Sequence, residues 1–211
     1  MSGTRHGWWR QNRLWLAALP LALTAMVGAA AYNVPRFVYD AGPHDELASA
    51  GPGGFADVVD DYTDAYGDTS RTLRVRLSDV EEVAEFPYAY PAEPAAPPEG
   101  LTAVRVHLEW EAEPDQVVSG CTVQLQDDQG RRYGLLPGTD SDQPGACVPD
   151  DARGPEAPLT KDSERGEIAD YEEPRPPTWS TAPVFLVPED REITTVLVYW
   201  QLPQYAALSV S

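Results

Sequence analysis

The chain has 211 residues, with 15 Lys and Arg against 34 Asp and Glu, a formal charge of −19. That acidic excess argues against a nucleic-acid partner, because a phosphate backbone binds through Lys and Arg that displace its counterions. Twenty-one prolines and 16 glycines argue against a helical fold, since each proline removes a backbone donor and fixes a dihedral.

Residues 1–13, MSGTRHGWWRQNR, form a basic tail. Arg5, Arg10 and Arg13 are the only Lys, Arg, Asp or Glu before Arg36, and Trp8, Trp9 and Trp15 stand among or just after them. Residues 14–32, LWLAALPLALTAMVGAAAY, carry no charge. As a helix this run reaches roughly 28 Å, close to the hydrocarbon thickness of a bilayer. The run therefore reads as one transmembrane helix. Arginines on its leading side hold the N-terminus in the cytoplasm, and indole rings fix its depth at the headgroups. Pro20 breaks a helix in water but only kinks one in a membrane. The segment also ends in Ala29, Ala30 and Ala31, which suits signal peptidase, so cleavage is the competing reading. Its length and aromatic flanks favour a retained signal anchor. Lack of a following cysteine excludes a lipid anchor.

About 180 residues remain beyond the helix, enough for one domain with a hydrophobic core. They hold all 34 acids and 12 of the basic residues, a charge of about −22. Residues 33–69 read as linker and acidic stalk. DAGPHDELASAGPGG has no repeating apolar face. FADVVDDYTDAYGD, with Asp57, Asp60, Asp61, Asp64 and Asp68, invites calcium, but its spacing meets none of the register of an EF-hand loop. Those acids read as a solvated face opposite Phe55, Val58, Tyr62 and Tyr66.

From residue 70 to 211 the expected fold is all-β. RTLRVRL alternates Leu73, Val75 and Leu77 with Arg74 and Arg76, a half-buried strand. Pro87, Pro91, Pro94, Pro97 and Pro98 keep the next stretch out of a sheet interior. LTAVRVHLEWEAE gives the clearest strand, Val104, Val106, Leu108 and Trp110 alternating with Arg105, His107, Glu109 and Glu111. Cys121, Val123 and Leu125 continue the alternation, DDQG at 127–130 supplies a hairpin turn, and RRYGLL returns. Residues 137–178 read as a large, mobile, acidic, Pro-rich loop with Ile168 and Tyr171 as packing groups. WSTAPVFLVP, ITTVLVYW and YAALSVS supply three closing strands.

Cys121 and Cys147 are the only cysteines. In a domain sent to an oxidising compartment they are expected to form a disulfide that pins the loop to the hairpin.

Alternating short strands with a buried-type Trp on a central strand indicate a two-sheet sandwich of immunoglobulin type. CTVQLQDDQGRRYGLL and APVFLVPEDREITTVLVYW resemble the immunoglobulin-like domain of Gram-positive surface lipoproteins and small actinobacterial envelope proteins. Asp127, Gly130, Tyr133, Phe185 and Pro188 occupy the positions of that domain's "D-x-x-G-x-x-Y" and "F-x-x-P" patterns. The resemblance covers roughly residues 70–211 and implies an extracytoplasmic, non-catalytic domain of undefined ligand.

Catalytic and cofactor signatures are missing from the sequence. No phosphate loop or nucleophile elbow occurs, and His6, His44 and His107 are too scattered for a zinc helix. No catalytic, cofactor-binding or metal residue is therefore expected, and no cofactor. The rival reading is a secreted, glycosidase-like hydrolase using paired carboxylates, with Glu109, Glu111 and Glu113 as its nominees. Trp179 and Tyr171 are nominees for stacking on a sugar or protein partner, with packing beneath the loop as the alternative. The expected role is an envelope interaction or structural module bound to a protein or cell-wall partner.

Overall fold

The computed structural model describes residues 5–34, 42–88, 93–135, 146–149, 152–158, 160 and 174–210. The chain divides into two units, a helical one and a sandwich that begins at Pro43.

The helical unit is α1, Arg5–Val34. Within it Asn12–Ala31 is long and apolar enough to cross a membrane, with a mean hydropathy of 1.9 and no buried residue in that apolar stretch. Residues 5–13 lie in α1 with the apolar run. They continue the helix, since nothing in RHGWWRQNR terminates one. At Pro20 an amide donor is missing, and Thr24 Oγ1 donates to the Pro20 carbonyl at 2.8 Å.

The sandwich has twelve strands among the described residues. The first six are β1 (Asp45–Ala50), β2 (Phe55–Asp64), β3 (Gly67–Val83), β4 (Phe86–Tyr88), β5 (Glu93–Ala95) and β6 (Leu101–Glu111). β7 (Thr122–Asp127), β8 (Arg132–Gly134), β9 (Thr178–Thr181), β10 (Val184–Pro188), β11 (Ile193–Tyr199) and β12 (Gln204–Ser209) follow. One sheet runs β1-β12-β11-β7-β8 and the other β2-β3-β6-β10, with β9 also pairing β6. All pairings are antiparallel except that of β1 with β12. The β7–β11–β12 and β6–β10 neighbours match the C–F–G and B–E arrangement of an immunoglobulin-type sandwich.

Strand alternation builds the core. Val58, Leu73, Val75, Val106, Leu108 and Trp110 face inward from one sheet, and Val123, Leu125, Val196, Val198 and Leu208 from the other. Burying such side chains contributes roughly 1.5–3 kcal/mol each. A smaller cluster packs Phe86 of β4 against Ala103 and Val184.

Three expectations are corrected. The sandwich starts at Asp45 rather than residue 70, so most of the expected stalk belongs to the sheets as β1 and β2. Phe55, Val58, Tyr62 and Tyr66 suggest a period of three to four, but the inward set is Ala56, Val58 and Asp60. Asp60 at an inward position hides the period of two. Second, WSTAPVFLVP is two strands, broken at Ala182 and Pro183 and both laid along β6. Third, parts of the described 137–178 segment are packed: Ala146, Cys147, Val148 and Arg175 are buried. Ile168 and Tyr171 lie outside the described residues.

Candidate functional site on the outer face of the second sheet

Pleating sends Arg74 and Arg76 of β3, and Arg105, His107, Glu109 and Glu111 of β6, to the face away from the core. A β-bulge between Leu77 and Asp79 changes the phase of β3. Without it Asp79 would share the inward parity of Leu77. With it, Asp79 lies opposite His107, and Glu81 opposite Arg105. Bulges re-aim side chains in this way. Ser78 marks the irregularity, its hydroxyl donating to the His107 carbonyl at 3.1 Å.

The resulting face is a ladder of cross-strand ion pairs. Arg74 bridges Asp57 at 3.0 Å and Glu111 at 2.6 Å. Arg76 Nε donates to Glu109 Oε2 at 2.9 Å. Glu81 Oε1 lies 3.0 Å from both Arg105 Nη1 and His107 Nε2. The guanidiniums of Arg74 and Arg76 lie over the Phe55 ring, 4.4 and 4.8 Å from its centroid. These pairs are substantially exposed, so each adds only about 0–1 kcal/mol. Hydrogen bonds from His107 and then Arg105 hold the Glu81 carboxyl below its ordinary pKa. A shallow depression of about 530 Å³ overlies the face from Phe55 to Ser180, with Arg76, His107 and Glu109 among its walls.

Glu109 and Glu111 each face an arginine, and Glu113 lies past the end of β6, where its carbonyl accepts from Arg175 Nη2 at 2.9 Å. Trp179 is not a free stacking platform. Its ring stacks on that of Trp110, 6.2 Å between centroids with planes 3° apart. Its indole N–H donates to the Cys147 carbonyl at 2.8 Å.

Cys121 and Cys147 are joined, their Cα atoms 6.2 Å apart. Trp110 Nε1 donates to Thr181 Oγ1 at 2.9 Å, and Thr181 Oγ1 to the Ala146 carbonyl at 2.7 Å. The bridge thus sits beside a hydrogen-bonded chain linking the central tryptophan to the loop.

Sequence reasoning missed two buried cations. Arg175, 1% exposed, donates to the carbonyls of Glu113, Gln116 and Arg153 and lies 4.6 Å over Trp179. Burial lowers its pKa to about 10. Arg71 sits 2.9 Å from Asp60, the two directly opposite across β2 and β3 and both buried. The Arg71 guanidinium also lies 4.1 Å over Tyr62 and 5.1 Å over Trp200. The Nε–Oδ2 contact is ionic without hydrogen-bond alignment. Burial raises the Asp60 pKa and lowers that of Arg71, outweighing their mutual attraction. In sequence Asp60 reads as one acid of a solvated face, and Arg71 has no assigned role.

The D-x-x-G-x-x-Y pattern acquires a physical basis. Asp127 Oδ1 accepts from the amides of Gln129 at 2.9 Å and Arg131 at 2.8 Å, and Oδ2 from the Tyr133 hydroxyl at 2.8 Å. Gly130 takes φ +76° in the turn, the left-handed region that glycine enters without cost.

The six residues expected to anchor the chain, Arg5, Trp8, Trp9, Arg10, Arg13 and Trp15, all lie on α1, with Trp8, Arg13 and Trp15 exposed. The side chains of Arg5, Trp9 and Arg10 lie outside the described set.

No protein family matches the chain, and no curated protein does. Among solved structures it is similar to an uncharacterized β-sandwich protein from Clostridium difficile 630, with 9% identity and a TM-score of 0.36. That match covers 80% of this chain and 96% of the other. A conserved hypothetical protein from Bacillus anthracis is similar at 12% identity and a TM-score of 0.31, over 72% of this chain and 96% of that one. These values carry no functional argument, and the resemblance to envelope immunoglobulin-like domains rests on the sequence patterns above.

Proposed function

We propose that this is a single-pass membrane protein whose β-sandwich stands outside the cytoplasm as an interaction or structural module of the envelope. The observation that carries the reading is α1. Its apolar stretch Asn12–Ala31 holds no buried residue, which in water would be costly and in a bilayer is stable. Two features agree with the orientation. Arginines favour the leading side of the span, with Arg5, Arg10 and Arg13 against Arg36 alone just beyond it, and the sandwich carries a disulfide, a bond of oxidising compartments.

The face most suited to a partner is the ion-pair ladder of β3 and β6, which presents fixed charges of both signs. Such surfaces favour specificity and association rate over raw affinity. The hydrolase reading draws no support from this face, because Arg76 and Arg74 neutralise Glu109 and Glu111.

Membrane fractions test anchoring. The full-length chain is expected to stay with membranes through a carbonate wash, since the helix is held by hydrocarbon rather than by charge. A soluble product beginning near Tyr32 would overturn it.

A further inference from the structure

We propose that Asp79, Glu81 and His107 form a binding site for a divalent transition-metal ion of the zinc class. Each residue offers one donor atom, and the three atoms lie within 4.8 Å of one another. Zinc holds carboxylate oxygens and imidazole nitrogens at about 2.0–2.2 Å, so bound donors stand roughly 3.3–3.5 Å apart. His107 Nε2 and Glu81 Oε1 already approach to 3.0 Å. Asp79 is exposed, so its side chain has room to close the remaining gap by changing rotamer.

The backbone supplies the reason these three meet. The β-bulge after Leu77 turns Asp79 and Glu81 onto the outer face, opposite His107 and Arg105 respectively. An unbulged strand would direct both carboxylates inward, away from the imidazole. Two rigid, adjacent strands then hold the donors, a firmer support than a loop. The outward side stays open for water to complete a four-coordinate shell.

Donor chemistry selects the ion. One imidazole with two carboxylates suits zinc and its borderline neighbours, whereas calcium takes six to eight oxygens and gains little from imidazole. Arg105 is the opposing charge, 3.0 Å from Glu81 Oε1. Arg105 and His107 both meet Glu81 Oε1, so the carboxylate turns on binding to give one oxygen to Arg105 and the other to the ion, and Arg105 takes the orienting outer-shell role common around metals. Asp79 and Glu81 together outweigh the single Arg105 charge, and the acidic chain as a whole attracts cations. In forming the site the ion displaces the His107–Glu81 hydrogen bond, and imidazole coordinates in its neutral form.

The test is calorimetric titration of the full-length chain in detergent micelles with Zn2+, alongside Co2+ absorption as a readout of coordination. The wild type is expected to bind one equivalent saturably, with a d–d spectrum, and calcium at the same concentration is expected not to compete. His107→Ala and Asp79→Asn are each expected to weaken binding by about tenfold or more. Melting without metal should stay near the wild-type value, because both side chains face outward. His107→Gln serves as a second variant should His107→Ala unfold, and His44→Ala should leave binding unchanged. No saturable zinc binding by the wild type would overturn the proposal. Equal affinity in the His107 and Asp79 variants, or loss only in His44→Ala, would do the same.

Discussion

The indole N–H of Trp179 donates to the carbonyl of Cys147 at 2.8 Å, so a strand of one sheet is bonded to the loop that the disulfide ties to the other. Trp110 stacks on Trp179, and Cys121 immediately precedes β7. The bridge therefore fastens the loop over the tryptophan pair at the centre of the sandwich.

Breaking the bridge is expected to destabilise the domain by roughly 3–4 kcal/mol, the value for a closed loop of this length in the chain-entropy model. Urea unfolding of Cys147→Ser, or of wild type with reductant, measures it. Thiol labelling under denaturing conditions should find no reactive cysteine before reduction and two after. Two labelled cysteines in untreated protein would refute the link.

Asp60 and Arg71 should behave as a coupled pair. Removing either charge strands the other in the interior, so Asp60→Leu and Arg71→Met are each expected to cost about 3–5 kcal/mol. The double variant should cost clearly less than their sum, because it leaves no buried charge behind. A double-mutant cycle with strictly additive losses would contradict this account of the pair.

Gly154→Ala is expected to destabilise by about 1–3 kcal/mol. Its φ is +75°, and a Cβ there would meet Arg175 Nη1 at 2.9 Å and Arg175 Cβ at 3.1 Å. A free arginine would swing aside. This one is held by three backbone carbonyls. An unchanged melting temperature would show that the guanidinium yields.

Acid should weaken the β7–β8 hairpin. Burial alone would raise the Asp127 pKa, but the amides of Arg131 and Gln129 and the Tyr133 hydroxyl together hold it below the ordinary value. A carboxyl with a depressed folded pKa contributes stability that is fully present above its unfolded pKa, about 3.9. That contribution is lost as pH falls through the folded value. Asp127→Asn should thus be less stable than wild type at neutral pH, with the gap closing below about pH 4. Urea midpoints across pH check it, and a gap that widens on acidification would contradict the sign.

Most of the sandwich was legible where alternation is clean. β6 alternates inward apolar residues with outward polar ones, β11 is a dense apolar run around Val196 and Val198, and the DDQG turn carries its own signal in Asp127 and Gly130. β2 was not legible, because Asp60 occupies an inward position and only its partner Arg71, on the neighbouring strand, makes that tolerable. β1 was hidden for another reason: it is a short edge strand, DELASA, with Leu47 as its one large apolar residue, held by parallel pairing to β12 at the far end of the sequence. The outer-face cluster followed the same logic. His107 looked isolated in the sequence, and the bulge that sets Asp79 opposite it leaves no local pattern. Glu109 and Glu111 were visible as outward carboxylates, but their arginine partners lie on β3, more than thirty residues earlier.

The central claim is an anchored helix with the sandwich outside. Protease added to right-side-out membrane vesicles carrying an N-terminally tagged chain tests it most directly. The account predicts that the sandwich is digested while the tag survives on a short membrane-bound fragment, protected by the bilayer. A sandwich that stays intact until the vesicles are opened would contradict the orientation, and a tag already separated from the sandwich before protease is added would contradict the anchor.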